Sequence, residues 1–194
     1  GAMAGVKFVF SATNEAAVLH DLMLKEGITH SAGVPTVWLA MFQHLDAEKA
    51  AGRESGLGKL RLVTIGGTAA PRMMIERLMS QGVRVSHAWG MTEMSPLGTL
   101  NTPKEKHRNL SKDDKFKLSL NQGRPLYGVD MKIVDGEGKE LPRDGKAFGD
   151  LLVRGPWIVK EYFKGEGGNP LRDGWFPTGD VANIDPVGYM QSTD

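Results

Sequence analysis

The chain has 194 residues, of which 40% are hydrophobic and 24% are charged, as in an ordinary globular protein with one sizeable core. Its 24 basic and 23 acidic side chains nearly cancel, so bulk charge favours neither nucleic acid nor an anionic membrane as a partner. The absence of cysteine excludes disulfides and favours a cytoplasmic setting, and no apolar run is long enough for an integral membrane segment. Peripheral membrane association of the parent protein stays open.

The first half of the chain alternates predicted strands and helices. Residues 1–3 resemble the remnant of a cleaved expression tag and are left out of the fold prediction. Short apolar or alternating runs predict strands over 6–10, 29–32, 61–65 and 83–88. Apolar residues three and four apart predict helices over 15–26, from 35 onwards, and over 71–80. This order is typical of a parallel βα layer, and we expect an α/β subdomain over 4–118.

After about residue 118 the pattern changes to short strands separated by turns. Strands are expected over 131–134, 150–153 and 188–191. Asp-Gly pairs at 135–136 and 144–145 predict tight turns between them. We therefore expect a β-rich subdomain over 119–194, a small barrel or a twisted sheet, and an α/β fold class for the whole chain.

The first candidate site is the run Gly66-Gly67-Thr68-Ala69-Ala70-Pro71, which leads from a predicted strand into a predicted helix. Two glycines allow a ligand to approach the backbone closely, and the start of a helix presents unpaired N–H groups. Ligands of open α/β sheets bind at the carboxyl ends of the strands. A tight strand-to-helix turn without a ligand is the alternative.

The second candidate is Trp89-Gly90-Met91-Thr92-Glu93, which follows the strand predicted over 83–88. An aromatic face can stack on a nucleobase, a hydroxyl can donate to a phosphate oxygen, and a carboxylate can hold Mg²⁺ beside a polyphosphate. The alternative is a buried tryptophan next to an exposed carboxylate on a loop.

The third candidate is Trp175-Phe176-Pro177-Thr178-Gly179-Asp180. An acidic residue after a tight Thr-Gly turn can accept hydrogen bonds from both hydroxyls of a ribose. A hairpin turn with a solvated aspartate is the alternative for this motif taken alone.

In this order the three motifs resemble those of the adenylate-forming superfamily, which includes acyl-CoA synthetases, luciferases and the adenylation domains of peptide synthetases. The run from Gly149 to Pro156 with Tyr162 belongs to the same superfamily resemblance, and the helix entry over 33–38 is similar to that of fatty acyl-CoA synthetases in particular. The resemblance covers essentially everything after residue 3. Trp89 stands where many members carry tyrosine, and Pro177 replaces a residue that is commonly basic.

The resemblance implies a role for each motif. The adenine and acyl side of a pocket is lined by Gly66, Gly67, Thr68 and Ala69. Trp89 packs on adenine in the loop that includes Gly90 and Met91. Thr92 contacts the α-phosphate and Glu93 coordinates Mg²⁺, which makes these two the catalytic candidates, and Asp180 binds the ribose. The implied reaction joins a carboxylic acid, expected to be a fatty acid, to coenzyme A, and ATP is converted to AMP and pyrophosphate.

Two parts of the family pattern are missing from the chain. It has no phosphate loop ending in Pro-Lys-Gly, and it stops before the hinge and the mobile C-terminal domain of the family. We therefore expect an inactive fragment that exposes apolar surface and forms homo-oligomers. Aryl acids, luciferin-type acids and short thioether acids remain alternative substrates, and a noncatalytic nucleotide-binding or interaction module remains an alternative function.

Overall fold

Residues 5–193 are described in the structure, a computed structural model, and two β-sheets organise them. The expected tag remnant at 1–3 and the last residue, Asp194, lie outside the described residues. Within 5–193, no helix combines the length and the apolar character that crossing a bilayer requires.

The first sheet has five strands in the order β1 (His30–Gly33), β2 (Leu62–Ile65), β3 (Arg84–Trp89), β4 (Thr99–Leu100) and β5 (Arg124–Pro125). The first three run parallel, whereas β4 and β5 are added antiparallel to the edge of β3. The carboxyl ends of β2 and β3 therefore lie side by side, and the loops that follow them face the same edge of the sheet. Because β5 belongs to this sheet, the sheet extends past residue 118.

Four helices accompany the parallel strands: α1 (Ala16–Lys25), α2 (Pro35–Ala50), α3 (Arg72–Ser80) and α4 (Lys112–Ser119). Helix α2 begins with proline, which is tolerated in a first turn because its missing N–H would have no partner there. The helices and the parallel strands share one apolar core, whose fully buried members include Met41, Leu45, Val63, Ile65, Met74, Ile75 and Leu78.

The second sheet is antiparallel, in the order β6 (Asp130–Val134), β7 (Gly149–Arg154), β8 (Phe176–Ile184) and β9 (Met190–Ser192). It has its own apolar core, which includes Met94, Ile133, Leu151, Val153, Ala182 and Met190. The predicted fold class, a parallel βα layer followed by a β-rich part, is confirmed.

The strand predicted over 6–10 is wrong, because the structure has no regular element there. The alternating residues that suggested it are exposed, at 55% for Val6, 61% for Phe8 and 84% for Phe10. A strand needs a neighbour for its backbone hydrogen bonds, and no described strand pairs with this segment.

The tight turn predicted at Thr178-Gly179 is also wrong, because both residues lie inside the nine-residue strand β8. The pairing of β8 with β7 is irregular between Asp150 and Leu152, next to this point. Gly179 has a φ of 86°, a conformation that costs glycine little. Gly179 therefore adopts a conformation that accompanies a local irregularity of the strand, and the chain does not reverse direction there.

The two sheets are joined directly beside the end of β3. The Gln122 N–H donates to Met190 O at 3.0 Å, and the Met190 N–H donates to Gly123 O at 2.7 Å. This short bridge brings β9 and its neighbour β8 close to the loops that follow β2 and β3.

Candidate nucleotide-binding site

A cavity of about 530 Å³ opens where the loops after β2 and β3 meet the antiparallel sheet. Residues from five separate parts of the chain line it: Gly67, Thr68, Ala69, His87, Ala88, Trp89, Gly90, Met91, Gln122, Asp180 and Ser192. Each of the three candidate motifs contributes to this list. The structure thus brings together side chains that lie far apart in the sequence.

The loop after β2 is shaped by its two glycines. Gly67 has a φ of 94°, and a β-carbon at this position would lie 3.0 Å from Val34 Cγ1. Gly66 does not line the cavity; a β-carbon there would lie 3.1 Å from the carbonyl oxygen of Ala88 in the adjacent strand. The pair therefore lets the loop pass close to β3 while Thr68 and Ala69 stay exposed at the rim.

Trp89 is the last residue of β3 and is held on two sides. A β-carbon at Gly98 would overlap Met94 and lie 2.7 Å from Trp89 Cζ3, so the indole packs against a bare backbone. On the other side, Trp89 Nε1–H donates to Asp180 Oδ2 at 2.9 Å. This hydrogen bond joins the parallel sheet to the antiparallel sheet across the cavity wall.

Asp180 is presented by β8, and the preceding threonine fixes its backbone. The Asp180 N–H donates to Thr178 Oγ1 at 3.1 Å, and the Thr178 hydroxyl donates to Leu151 O in β7 at 3.0 Å. The half-buried carboxylate therefore sits on a strand that is braced against its neighbour, opposite the indole of Trp89.

Three polar residues of the cavity wall were not predicted as site residues. His87 is buried two residues before Trp89 on the same strand, so both side chains project to the same face. Gln122 is buried, and its Oε1 accepts the Ser192 N–H at 2.9 Å. The alternation of β3 could have placed His87 beside Trp89, whereas nothing local in the sequence brings Gln122 to Ser192.

Burial lowers the pKa of His87, and the backbone carbonyls of Thr68 and Leu120 oppose that shift in part. The imidazole is therefore neutral at physiological pH and adds a polar but uncharged group to the wall.

Thr92 and Glu93 lie outside this cavity lining. They form a short 3₁₀ turn, Thr92–Met94, directly after the Trp89 loop, and Thr92 is exposed. Glu93 Oε1 accepts the Tyr162 hydroxyl at 3.1 Å, and the Glu93 carbonyl accepts the Val159 N–H at 2.8 Å. The structure thus gathers seven of the predicted residues around the cavity but not Gly66, Thr92 or Glu93.

The Glu93 carboxylate is one of the groups that affect the pKa of Tyr162. Desolvation raises the pKa of the Tyr162 hydroxyl, and the hydrogen bond to Glu93 and its negative charge raise it further. Within residues 5–193, no group of three His, Cys, Asp or Glu could hold a metal ion alone. A cation at Glu93 would therefore need most of its ligands from water or from a bound phosphate, as is usual for Mg²⁺.

A second cavity, of about 420 Å³, lies at the opposite end of β3 beside Val83 and Arg84. Two buried polar residues line it: Asn101 donates to Leu118 O and Asn121 O at 2.6 and 2.7 Å, and the Ser119 hydroxyl donates to Phe116 O at 2.6 Å, so both are bonded within the fold. None of the three candidate motifs reaches this cavity.

Comparisons with known proteins agree with the motifs. The family of AMP-binding enzymes matches residues 1–163. The chain is 47% identical to the medium-chain-fatty-acid–CoA ligase of Ectopseudomonas oleovorans, covering 100% of this chain and 35% of that protein. It is 45% identical to the 3-methylmercaptopropionyl-CoA ligase of Ruegeria lacuscaerulensis, with the same coverage.

Among solved structures, the N-terminal domain of FACL13 from Mycobacterium tuberculosis has the same fold, with a TM-score of 0.78 at 24% identity. That match covers 100% of this chain and 45% of that domain. The chain spans about a third of the length of the two CoA ligases, at 35% of each. The match over residues 1–163 shows that the chain belongs to the family of AMP-binding enzymes.

Proposed function

We propose that the chain carries the nucleoside end of the acyl-adenylate site of an ATP-dependent acyl-CoA synthetase. In the reaction of the whole protein, a carboxylate oxygen attacks the α-phosphorus of ATP, giving acyl-AMP and pyrophosphate. The coenzyme A thiol then attacks the acyl carbon, so that the thioester forms and AMP leaves. Both steps require the AMP moiety to be held in one orientation while first its α-phosphorus and then its acyl group reacts.

The observation that carries this proposal is the meeting of Trp89 and Asp180 at 2.9 Å across one cavity wall, from positions 91 residues apart. An indole offers a flat apolar surface for a base, and a carboxylate accepts hydrogen bonds from adjacent hydroxyls. A nucleoside is a ligand that presents both a flat base and a diol.

Each wall of the cavity has a proposed task. The backbone around Gly67 admits the nucleotide closely, Trp89 packs on adenine, and Asp180 binds the ribose. Thr92 and Glu93 lie next to this cavity on the phosphate side, where Thr92 donates to the α-phosphate. Mg²⁺ held between Glu93 and phosphate oxygens would reduce the repulsion between the substrate carboxylate and ATP.

The proposed acid is a medium-chain fatty acid, supported by the 47% identity to a medium-chain-fatty-acid–CoA ligase. A short thioether acid is the second candidate, because the 3-methylmercaptopropionyl-CoA ligase is almost as similar, at 45%. Both are unbranched acids without a ring, and an aryl acid has no comparable support.

Calorimetric titration with sulfamoyl analogues of acyl-AMP, which cannot transfer the acyl group, tests the proposal. We expect saturable binding with a Kd on the order of a millimolar or tighter, and stronger binding of the decanoyl than of the acetyl analogue. The 3-(methylthio)propanoyl analogue tests the second candidate in the same titration. Absence of saturable binding for all three would contradict the proposed function.

Turnover gives a separate test. With ATP, Mg²⁺, coenzyme A and decanoate, we expect no thioester from this chain alone, because it spans about a third of the length of the CoA ligases it resembles and the remaining parts are not in the assay. Thioester formed above the background without protein would show that these parts are dispensable.

A further inference from the structure

The hydrogen bond between Trp89 and Asp180 links the two groups that are assigned to the base and to the ribose. Its length of 2.9 Å is that of a good N–H···O contact, and its acceptor is a carboxylate oxygen. Hydrogen bonds to ionised acceptors are stronger than neutral ones. The contact therefore does more than fill space between the two sheets.

We propose that Trp89 is a positioning residue for the ribose: its indole N–H orients the Asp180 carboxylate toward the sugar hydroxyls. This role rests on the proposed function, because it requires that Asp180 binds ribose. The aromatic residue then serves the nucleoside twice, through its ring face toward the base and through Asp180 toward the sugar.

The indole cannot easily turn its N–H elsewhere. Gly98 packs against its six-membered ring so closely that a side chain there would collide with it, and the Gly98 N–H donates to the Trp89 carbonyl at 2.9 Å. With the ring fixed at this edge, the direction of the N–H bond is set by the fold.

The carboxylate is restrained from its own side by the backbone of β8. The Asp180 N–H is bound to Thr178 Oγ1, whose hydroxyl is bound to β7. What remains variable is the rotation of the side chain, and the contact from Trp89 to Oδ2 limits that rotation. The Asp180 carboxylate is therefore restrained both by the hydrogen-bonded backbone of β8 and by the indole N–H of Trp89.

The chemistry of an indole suits this task. It is a donor only, so it cannot accept a hydrogen bond from a ribose hydroxyl, and it is uncharged, so it does not neutralise the carboxylate. A carboxylate offers about four acceptor positions, and the Trp89 N–H takes up one of them on Oδ2.

The contact itself can be observed without any ligand. In a ¹H–¹⁵N spectrum of the full chain, Asp180→Asn should move the indole N–H signal of Trp89, because an amide is a weaker acceptor than a carboxylate. The signals of the other tryptophans, Trp38, Trp157 and Trp175, should stay in place. An unchanged Trp89 signal would overturn the inference.

The role is tested by comparing AMP with 2′,3′-dideoxy-AMP, which lacks the hydroxyls that Asp180 would bind. Trp89→Phe keeps an aromatic face and loses the N–H. We expect it to weaken AMP binding about tenfold, the usual effect of one such hydrogen bond, and dideoxy-AMP binding by less than about threefold. The matched control is Trp175→Phe, at a tryptophan outside the cavity, which should change neither.

Two further results distinguish failure of the positioning role from failure of the proposed function. Equal loss for both nucleotides in Trp89→Phe would mean that Trp89 acts through its ring alone, which overturns the positioning role and leaves the proposed function intact. If the unmodified chain binds no AMP, the proposed function fails and the positioning role fails with it, whatever the indole signal shows. Added to Asp180→Asn, Trp89→Phe should weaken AMP binding by less than about threefold further, the same limit as for dideoxy-AMP.

Discussion

The proposed nucleoside side of the site and its proposed phosphate side are built differently. On the nucleoside side, Gly67, Trp89 and Asp180 face one cavity, and protein contacts hold both functional side chains. On the phosphate side, Thr92 is exposed and Glu93 contacts the hydroxyl of Tyr162, on an exposed loop. The difference lies in the side chains, because the backbone of the Thr92–Met94 turn is itself anchored: the Glu93 carbonyl accepts the Val159 N–H at 2.8 Å and Met94 is buried.

This difference shows which part of binding the chain can supply. A preorganised wall costs little entropy when the ligand arrives, whereas the exposed Thr92 side chain must be ordered at that moment. We therefore expect the chain to recognise a nucleoside better than it recognises a triphosphate. The predictions below test this division.

The largest effect is expected at Gly90, where the two regions join. A β-carbon there would overlap the carbonyl oxygen of Pro96 and lie 2.9 Å from Leu97 Cα, and both atoms belong to the backbone. Gly90→Ala should therefore lower the free energy of unfolding by about 3 kcal/mol. Urea denaturation measures this change.

The matched control for that variant is Gly136→Ala, because no atom lies within 4 Å of a β-carbon at Gly136. Its free energy of unfolding should stay within about 0.5 kcal/mol of the unmodified chain. Equal stability of the two variants would contradict the packing described around Gly90.

The second prediction compares one carboxylate from each region. Asp180→Asn should weaken AMP binding about 30-fold, since a hydrogen bond to a charged group contributes about 2 kcal/mol. Glu93→Gln should change AMP binding by less than about threefold when Mg²⁺ is absent. Isothermal titration measures the AMP affinity of both variants. A larger loss of affinity in Glu93→Gln than in Asp180→Asn would mean that the nucleoside binds on the Glu93 side of the Trp89 loop, which would contradict the proposal.

The third prediction uses the lowered pKa of His87 in the cavity wall. Below the ordinary histidine pKa of about 6.5, the unfolded chain binds a proton that the folded chain does not. Stability should therefore fall as the pH decreases from 7.5 to 5.5, by at most about 1.4 kcal/mol per pH unit from this residue.

His87→Gln should reduce that pH dependence, measured as unfolding free energy against pH. It should not abolish it, because burial also lowers the pKa of His107. His30→Gln, at an exposed residue, is the control and should keep the full slope. An unchanged slope in His87→Gln would mean that His87 binds protons equally in the folded and the unfolded chain, which would contradict its lowered pKa.

The smallest effect is expected for Tyr162→Phe on the phosphate side. Losing the hydroxyl frees Glu93 Oε1 from its hydrogen bond, so Mg²⁺ no longer competes with Tyr162 for that oxygen. ATP binding in the presence of Mg²⁺ should become about two- to threefold tighter, as expected for one exposed hydrogen bond. Weaker binding would instead make Tyr162 a group that orients Glu93 for the cation.

Local patterns predicted the elements whose stability is local. Helix α2 begins at Pro35 as expected, and β3 was expected over 83–88 and spans Arg84–Trp89. The strand predicted over 6–10 failed because apolar alternation does not reveal whether a neighbouring strand exists. Thr178-Gly179 was read as a turn because glycine is common in turns, whereas the irregular pairing with β7 explains it here.

The site was predictable as a set of residues but not as an arrangement. The motifs named Trp89, Asp180 and Glu93 together, yet only the long-range pairing of the two sheets decides which of them meet. The hydrogen bond between Trp89 and Asp180 spans 91 positions, and the one between Glu93 and Tyr162 spans 69. No local pattern carries such information, because both contacts join loops of the first sheet to the antiparallel half of the chain.

The most direct test is a titration of the ¹⁵N-labelled chain with AMP, followed by backbone amide chemical shifts. The account predicts that the largest shifts occur at Gly67, Thr68, Ala69, Gly90, Met91 and Asp180, around the cavity of about 530 Å³. Shifts concentrated instead around Val83, Asn101 and Lys115, which line the second cavity, would contradict it.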